Sequence, residues 1–216
     1  MDIIKFAIDF FLHLDKHLAD ILTQYGPETY GILFLIIFVE TGLVVMPLLP
    51  GDSLLFAAGA LAATTHKLDI GIIIPLLITA ALLGDNVNYF VGKFFGYEIK
   101  KRDRILFFKR KYLDETHAYY DKYGGRTVIM ARFIPIIRTI APFVAGAGTM
   151  KYSRFIIFCI IGAIVWVTGL TFIGYKFGNL DFVKRNFEVV ILGIIFISIL
   201  PIIWQFIKGK SSAKQS

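Results

Sequence analysis

The residues that could do chemistry in this chain are charged side chains inside strongly apolar segments. Arg132 and Arg138 lie in an apolar run that also contains Pro135 and Pro142. An arginine at the centre of a lipid bilayer costs about 2.5–3.5 kcal/mol on insertion scales, so each one needs an acidic partner, water or a ligand. Two guanidinium groups could hold a phosphate through paired hydrogen bonds. The segment therefore predicts a polar pocket at membrane depth.

Acidic residues in other apolar runs could share this pocket. Glu40 sits in the middle of one run, Asp52 follows Pro50 and Gly51, and Asp85 lies near the far end of a later run. Glu40 and Asp52 could pair with the arginines only to hold the hairpins together, or they could give way to a phosphate. Because a low dielectric disfavours charge, we predict that Glu40 or Asp52 takes up a proton as a ligand enters, with Asp85 as the next candidate.

The prolines predict that both apolar segments are broken. Proline removes a backbone donor and interrupts a helix, which lipid tolerates only where the freed groups line a cavity or are buried in protein. The arm after Pro50 is about 16 Å long at about 1.5 Å per residue, too short for a bilayer core of about 30 Å. The expected breaks are Pro50, Gly51, Pro135 and Pro142, within two re-entrant hairpins at 30–63 and 126–148.

The composition of the chain is that of a helical membrane protein. Of its 216 residues, 56% are hydrophobic and 18% are charged, and the apolar residues form long runs between charged loops. The net charge of +7 comes largely from basic residues in short loops, a pattern that orients membrane proteins rather than one that binds nucleic acid. We therefore expect a single membrane domain and no nucleic-acid partner.

The order of the segments predicts an all-α polytopic fold in which each hairpin precedes a transmembrane helix. The most basic stretch and the C-terminus should be cytoplasmic, because positive residues stay on that side. The predicted parts are an amphipathic interfacial helix at 1–25, a membrane domain at 26–208 and a tail at 209–216. Within the membrane domain we expect hairpins at 30–63 and 126–148, transmembrane helices at 70–97, 153–178 and 188–207, and a basic amphipathic segment at 98–125.

A short internal repeat relates the two hairpins. Each broken segment ends in Ala-Gly-Ala, at 58–60 and 145–147, and each following span ends in a similar glycine pattern, at 91–96 and 173–178. The first hairpin would enter from outside and the second from inside, so the repeats would be inverted. Broken helices at matching positions of inverted halves are typical of secondary transporters. The paired glycines also leave a homodimer open.

Three motifs resemble those of the DedA family of bacterial inner-membrane proteins. They are Glu40-Thr-Gly with Pro50-Gly-Asp-Ser-Leu-Leu, Gly84-Asp-x-x-Asn-Tyr89 with Gly92 and Gly96, and Arg132-Phe-x-Pro-x-x-Arg138 with Ala145-Gly146. The resemblance covers essentially the whole chain. It implies two facing re-entrant helices and translocation of a polyprenyl phosphate, such as undecaprenyl phosphate, or of a phospholipid. The family's functional positions match Glu40, Asp52, Arg132 and Arg138, and some members are linked to the proton motive force.

The favoured hypothesis is a transporter or flippase of an anionic lipid in the bacterial inner membrane. The residues assigned to it are Arg132 and Arg138 for the phosphate head group, and Glu40, Asp52 and Asp85 for proton coupling. Its expected partners are membrane lipids and protons.

Two other functions use the same segments. A proton–cation antiporter would use the carboxylates, although two arginines beside a cation site are unfavourable. A lipid phosphatase would need a histidine nucleophile or a metal cluster. The histidines lie outside the apolar segments and far apart, at His13, His17, His66 and His117. We therefore expect no enzymatic activity, no cofactor and no metal site.

Overall fold

The fold is built from helices. The computed structural model describes residues 24–42, 51–65, 67–99, 104–105, 108–109, 120, 124–148, 150–187, 189–194 and 196–197. After a 3-10 turn at Gly26–Glu28, the helices are α1 (Thr29–Gly42), α2 (Gly51–Thr65), α3 (Ile70–Ile99), α4 (Arg126–Ala131), α5 (Pro135–Ala147), α6 (Tyr152–Phe177) and α7 (Asp181–Arg185). Residues 189–194 are also helical.

Two of these helices are long and apolar enough to cross a membrane. The candidate spans are Ile70–Phe94 in α3 and Tyr152–Phe177 in α6, with 25 and 26 residues. About 20 apolar residues are enough to cross the hydrocarbon core. They lie where the sequence predicts spans. The helical class and two candidate membrane-spanning helices are thereby confirmed. Most of the predicted helix at 1–25 and of the third span at 188–207 lies outside the described residues, as does the tail at 209–216.

The basic segment between the spans contains a strand pair that the sequence does not predict. Arg104–Ile105 (β1) pairs antiparallel with Phe108–Lys109 (β2). Farther along, the chain turns at the double glycine Gly124-Gly125. Gly124 adopts the left-handed conformation (φ 58°), and its N–H donates to the carbonyl of Tyr120 at 2.8 Å, as at many helix C-termini.

Helices α1 and α2 form a hairpin that returns to its starting point. Near the beginnings of α1 and α3, the Asp69 N–H donates to the Tyr30 hydroxyl at 2.8 Å. Farther along the same two helices, Gly42 packs against the backbone of Gly84. Helices α1 and α3 therefore run parallel. Since α2 leads from the end of α1 to the start of α3, it must run in the opposite direction.

Helices α4 and α5 repeat this arrangement beside α6. At the start of α4, Gly125 packs against the Phe158 ring of α6, and farther along Arg132 reaches Gly162. Helices α4 and α6 are therefore parallel, and α5 leads back from the end of α4 to the start of α6. Each half of the fold, α1–α3 and α4–α6, is a helical hairpin followed by a long helix.

The returning helix of each hairpin packs on the long helix of the other half. Between α2 and α6, a Cβ on Gly59 would overlap the carbonyl of Thr171, and a Cβ on Gly174 would overlap that of Phe56. Asp52 at the start of α2 accepts from Trp166 of α6, and the Ala63 carbonyl near the end of α2 accepts from Asn179, just beyond α6. The two helices therefore run parallel. Backbones can approach this closely only where small residues replace side chains.

The same reciprocal contact joins α5 and α3. A Cβ on Gly146 would overlap the carbonyl of Tyr89, and a Cβ on Gly92 would overlap that of Phe143. Asn88 of α3 donates to the Thr139 carbonyl near the start of α5, whereas Gly146 near the end of α5 lies against the backbone nitrogen of Lys93. These helices therefore also run parallel, and the two halves of the fold run in opposite directions. The glycines of the sequence repeat, Ala-Gly-Ala and the pattern at the end of each span, are thus contact points between the halves.

The predicted breaks are only partly correct. At Pro135 the chain does leave the helix, with Ile134 extended (φ −124°, ψ 107°), and α5 begins at the proline, where a missing N–H is harmless. Gly51 was assigned to a break, but it is the first residue of α2. Pro50 lies outside the described residues.

The predicted break at Pro142 is wrong, because α5 continues through it. Proline removes the N–H that would reach the Arg138 carbonyl. The same turn receives side-chain donors from elsewhere: Asn88 donates to the Thr139 carbonyl at 2.6 Å, and the Tyr120 hydroxyl donates to that of Ala141 at 2.9 Å. Neighbouring groups of this kind allow a helix to tolerate proline inside a membrane protein.

The glycine contacts give a first prediction. Gly59→Ala should destabilise the fold by about 1–3 kcal/mol, because the added methyl group meets a backbone carbonyl that cannot move aside. Thermal unfolding in detergent should show a midpoint lower by several degrees. Gly169→Ala is the matched control on α6, because nothing lies within 4 Å of that Cβ position. Equal effects of the two substitutions would contradict the packing argument.

Candidate functional site

Four of the five charged residues singled out in the sequence lie at the helix ends on either side of the two hairpin turns. Glu40 is near the end of α1, and Asp52 is in the first turn of α2. Arg132 follows the last residue of α4, and Arg138 is in the first turn of α5. These helix ends meet, so the structure brings all four residues close together.

Arg138 joins the second hairpin to the first. Its Nη2 donates to Glu40 Oε1, and its Nη1 donates to Asp52 Oδ1 at 3.0 Å. The side chains of Arg138 and Glu40 are 3% and 0% exposed, so this ion pair is withdrawn from solvent. A charge buried this deeply requires a partner, since breaking such a pair typically costs about 3–5 kcal/mol.

Arg132 pairs with a different carboxylate from the ones expected. Its Nη2 donates to Asp85 Oδ2, and both side chains are 3% exposed. The Cys159 thiol also donates to Asp85 Oδ2, at 3.2 Å. The sequence placed Asp85 at the far end of its span and paired both arginines with Glu40 and Asp52. Instead Asp85 lies near the midpoint of the 30-residue α3, because that helix begins and ends beyond the level of the hairpin turns.

Trp166 is a site residue that the sequence reasoning missed. It is 1% exposed, and its Nε1 donates to Asp52 Oδ1 at 2.8 Å. Its ring lies 4.9 Å from the Arg138 guanidinium carbon and 5.7 Å from that of Arg132. A usable signal was present, because tryptophan normally gathers at membrane interfaces, whereas Trp166 is near the middle of the 26-residue α6.

Asn88 of α3 donates hydrogen bonds to both hairpins. Its Nδ2 donates to the carbonyl of Thr139 at 2.6 Å and to that of Thr41 at 3.4 Å. Its side chain is completely buried. Asn88 belongs to one of the three sequence motifs, but the sequence gives it no role, because nothing in the sequence indicates which carbonyls it reaches.

Glycine at position 51 lets the start of α2 approach Glu40. The Gly51 N–H donates to Glu40 Oε1 at 3.1 Å, and a Cβ at this position would overlap the carboxylate. The N-terminal end of a helix favours negative charge. Gly51 therefore contributes to the acidic side of the site rather than to a helix break.

The site combines excess acid with unused donors. Its three carboxylates and two guanidinium groups sum to a formal charge of −1 when all are ionised, since two positive charges meet three negative ones. Arg132 Nε, Arg132 Nη1 and Arg138 Nε are buried and have no hydrogen-bond partner among the described residues. An oxygen-rich anion could accept from these donors.

Comparison with known proteins places the chain in a family. A model of the VTT domain matches residues 49–176. Protein DedA of Escherichia coli K12 is 50% identical over 217 residues, which cover 100% of this chain and 99% of that protein. The chain belongs to the DedA family. The resemblance seen in the three sequence motifs is thereby confirmed.

Other relatives of this DedA-family chain are also named as membrane proteins. An uncharacterized membrane protein of Mycobacterium tuberculosis H37Rv is 45% identical over 178 residues, covering 82% of this chain and 78% of that protein. Inner membrane protein YghB of E. coli K12 is 31% identical over 194 residues, covering 90% and 84%. No solved structure matches the chain significantly. The chain is thus a membrane protein of the DedA family.

Among the described residues, no group of three or more histidine, cysteine, aspartate and glutamate side chains could hold a metal ion. The four histidines lie outside the described residues.

The pairing of Arg132 with Asp85 gives a second prediction. Asp85→Asn should lower stability by about 3–5 kcal/mol, because it leaves Arg132 buried without a counter-charge. Replacing both, as Asp85→Asn with Arg132→Met, should recover most of the loss. Thermal unfolding in detergent measures both variants, and the exposed Glu28→Gln serves as a control. A double variant as unstable as Asp85→Asn alone would contradict the pairing.

Proposed function

We propose that this protein moves an anionic lipid across the bacterial inner membrane and takes up protons as it does so. The lipid would be a polyprenyl phosphate, such as undecaprenyl phosphate, or a phospholipid. The observation that carries the proposal is the pair of buried arginines near the middle of both long helices. Both retain N–H groups that have no hydrogen-bond partner among the described residues. These donors suit the oxygens of a phosphate.

In this proposal the two hairpins enter the membrane from opposite sides and meet near its midplane. Helices α1, α2 and α5 have 14, 15 and 13 residues. At about 1.5 Å per residue each is about 20–22 Å long, shorter than a hydrocarbon core of about 30 Å. The opposite directions of the two halves and the position of Asp85 and Trp166 near the middle of the spans support this placement. A substrate site at the meeting point of inverted halves is the arrangement of many transporters.

A phosphate that enters this site must compete for the arginines. Arg138 uses two of its nitrogens on Glu40 and Asp52, and Arg132 uses one on Asp85. A guanidinium group presents five N–H donors, so each arginine can begin to bind the phosphate before it releases its carboxylate. The carboxylates neutralise the arginines in the empty site and yield when the lipid arrives.

The charge of the site couples this exchange to protons. An anion that entered a cluster already at −1 would add to a buried negative charge, which a low dielectric makes costly. Protonation of a displaced carboxylate removes that excess. We assign this uptake to Glu40 and Asp52, which share Arg138, and to Asp85 when Arg132 turns to the ligand. Binding of the anion should therefore strengthen as pH falls.

One observation favours a second candidate, proton–cation exchange. The acidic excess of the site would attract a cation or a proton more readily than an anion. The same liposomes distinguish the two functions. Without added polyprenyl phosphate, a cation gradient would drive proton movement only if the protein were an exchanger. We also propose that the protein is not an enzyme, so the transported lipid should be recovered with its phosphate intact.

The arginine assignment gives a third prediction. Arg138→Lys should slow translocation of a labelled polyprenyl phosphate in liposomes by about tenfold or more, because lysine keeps the charge but loses the forked pair of donors. A charged hydrogen bond is worth about 1.5–3 kcal/mol, and 1.4 kcal/mol corresponds to a factor of ten. Arg126→Lys is the matched control, since Arg126 is exposed on α4. Full activity in both Arg132→Ala and Arg138→Ala would refute phosphate binding by these residues.

Proton coupling gives a fourth prediction. Glu40→Gln and Asp52→Asn keep the size and much of the hydrogen bonding of each side chain but fix it in a neutral state. Either change should flatten the dependence of the initial translocation rate on pH, whereas Glu28→Gln should leave the profile unchanged. Thermal stability measured in parallel identifies variants that fail to fold. Folded variants that keep the pH profile of the unmodified protein would rule out coupling at these two residues.

A further inference from the structure

Trp166 of α6 contacts the guanidinium groups of both ion-paired arginines of the site. Its ring faces the guanidinium groups of Arg138 and Arg132, at 4.9 and 5.7 Å from their central carbons. The two arginines pair with different carboxylates, so contacts of the ring span the whole cluster. Because Trp166 is 1% exposed, the ring and the cations face each other without intervening bulk solvent, the condition under which cation–π attraction is strongest.

Its indole N–H shares an acceptor with one of these arginines. Asp52 Oδ1 accepts from Trp166 Nε1 at 2.8 Å and from Arg138 Nη1 at 3.0 Å. The first donor belongs to a long span and the second to a hairpin turn. If Arg138 turned away from Asp52, the indole N–H would still hold that carboxylate in place.

We propose that Trp166 is the positioning residue that lets Arg138 change partners between Asp52 and an anionic ligand. This role rests on the proposed function, since it requires a phosphate to bind in the site. The ring keeps the guanidinium groups oriented while their carboxylates are displaced. The N–H fixes Asp52 at a set distance, so that the carboxylate does not follow the arginine toward the ligand.

Each part of the side chain has a separate consequence for binding. Phenylalanine at this position would keep an aromatic face for the cations but remove the donor to Asp52. Leucine would remove both. Affinity for a phosphate-bearing lipid should therefore fall by about tenfold in Trp166→Phe, the loss expected for one hydrogen bond to a charged group, and further in Trp166→Leu.

The test measures the Kd of a labelled short-chain polyprenyl phosphate by equilibrium binding in detergent, which reports on variants with and without Trp166 alike, with the matching uncharged polyprenol as the control ligand. The chain has two tryptophans, so a Trp204→Phe background isolates the emission of Trp166. In that background the phosphate, but not the alcohol, should change the emission in a saturable manner. Phe172→Leu is the matched aromatic control on α6, because its side chain is 48% exposed, and its Kd should equal that of the unmodified protein.

A double substitution distinguishes positioning from a general structural role. If Trp166 acts through Asp52, then Trp166→Phe should weaken binding much less in an Asp52→Asn background than in the unmodified protein. A purely structural effect would add fully to that background and would lower the thermal unfolding midpoint by the same amount in both. Full additivity would therefore overturn the positioning role.

The outcomes also separate this inference from the proposed function. Phosphate binding by the unmodified protein with an unchanged Kd in folded Trp166→Phe and Trp166→Leu would overturn the role of Trp166 alone. Equal binding of phosphate and alcohol by the unmodified protein, unaffected by Arg138→Lys, would overturn the proposed function, and the positioning role with it. A tenfold loss in Trp166→Phe that disappears in the Asp52→Asn background would support the role.

Discussion

The ion pairs between the two hairpin turns are the interaction on which the rest of the structure depends. Arg138 of the second hairpin is buried against Glu40 and Asp52 of the first, and Arg132 is buried against Asp85 of α3. An unpaired charge in an apolar interior costs several kcal/mol. Neither hairpin could therefore keep its charges in this environment without the other half of the fold, and the two halves stabilise each other at the site.

Close packing of small residues brings those charges together. Each returning helix lies against the long helix of the opposite half, and each helix of a pair contributes a glycine that meets the partner's backbone: Gly59 and Gly174 in one pair, Gly146 and Gly92 in the other. Because the backbones touch, the charged residues at the ends of the hairpin helices reach the middle of both long helices. Gly51 adds a contact of the same kind at Glu40. The glycine contacts between helices thus determine where the charged residues of the site lie.

The proposed function uses this arrangement without requiring a new one. The sequence left two roles open for the charged residues, holding the hairpins together or binding a phosphate. Carboxylates that pair with arginines are also competitors for any anion that approaches them, so one set of contacts could serve both roles in turn. The formal excess of one negative charge means that such an exchange is more favourable when a proton accompanies the anion.

The sequence by itself determined the helical class, the two long candidate spans, the family and the identity of all five charged residues of the cluster. These follow from local signals: the length of apolar runs, the high cost of charge within them, and motifs of fixed spacing. Only the tertiary structure decided that Arg132 pairs with Asp85, that Trp166 and Asn88 belong to the site, and that Pro142 does not break its helix. Those outcomes depend on contacts between segments distant in the chain. A proline interrupts or continues a helix, and a tryptophan meets lipid or a cation, according to neighbours that local sequence does not specify.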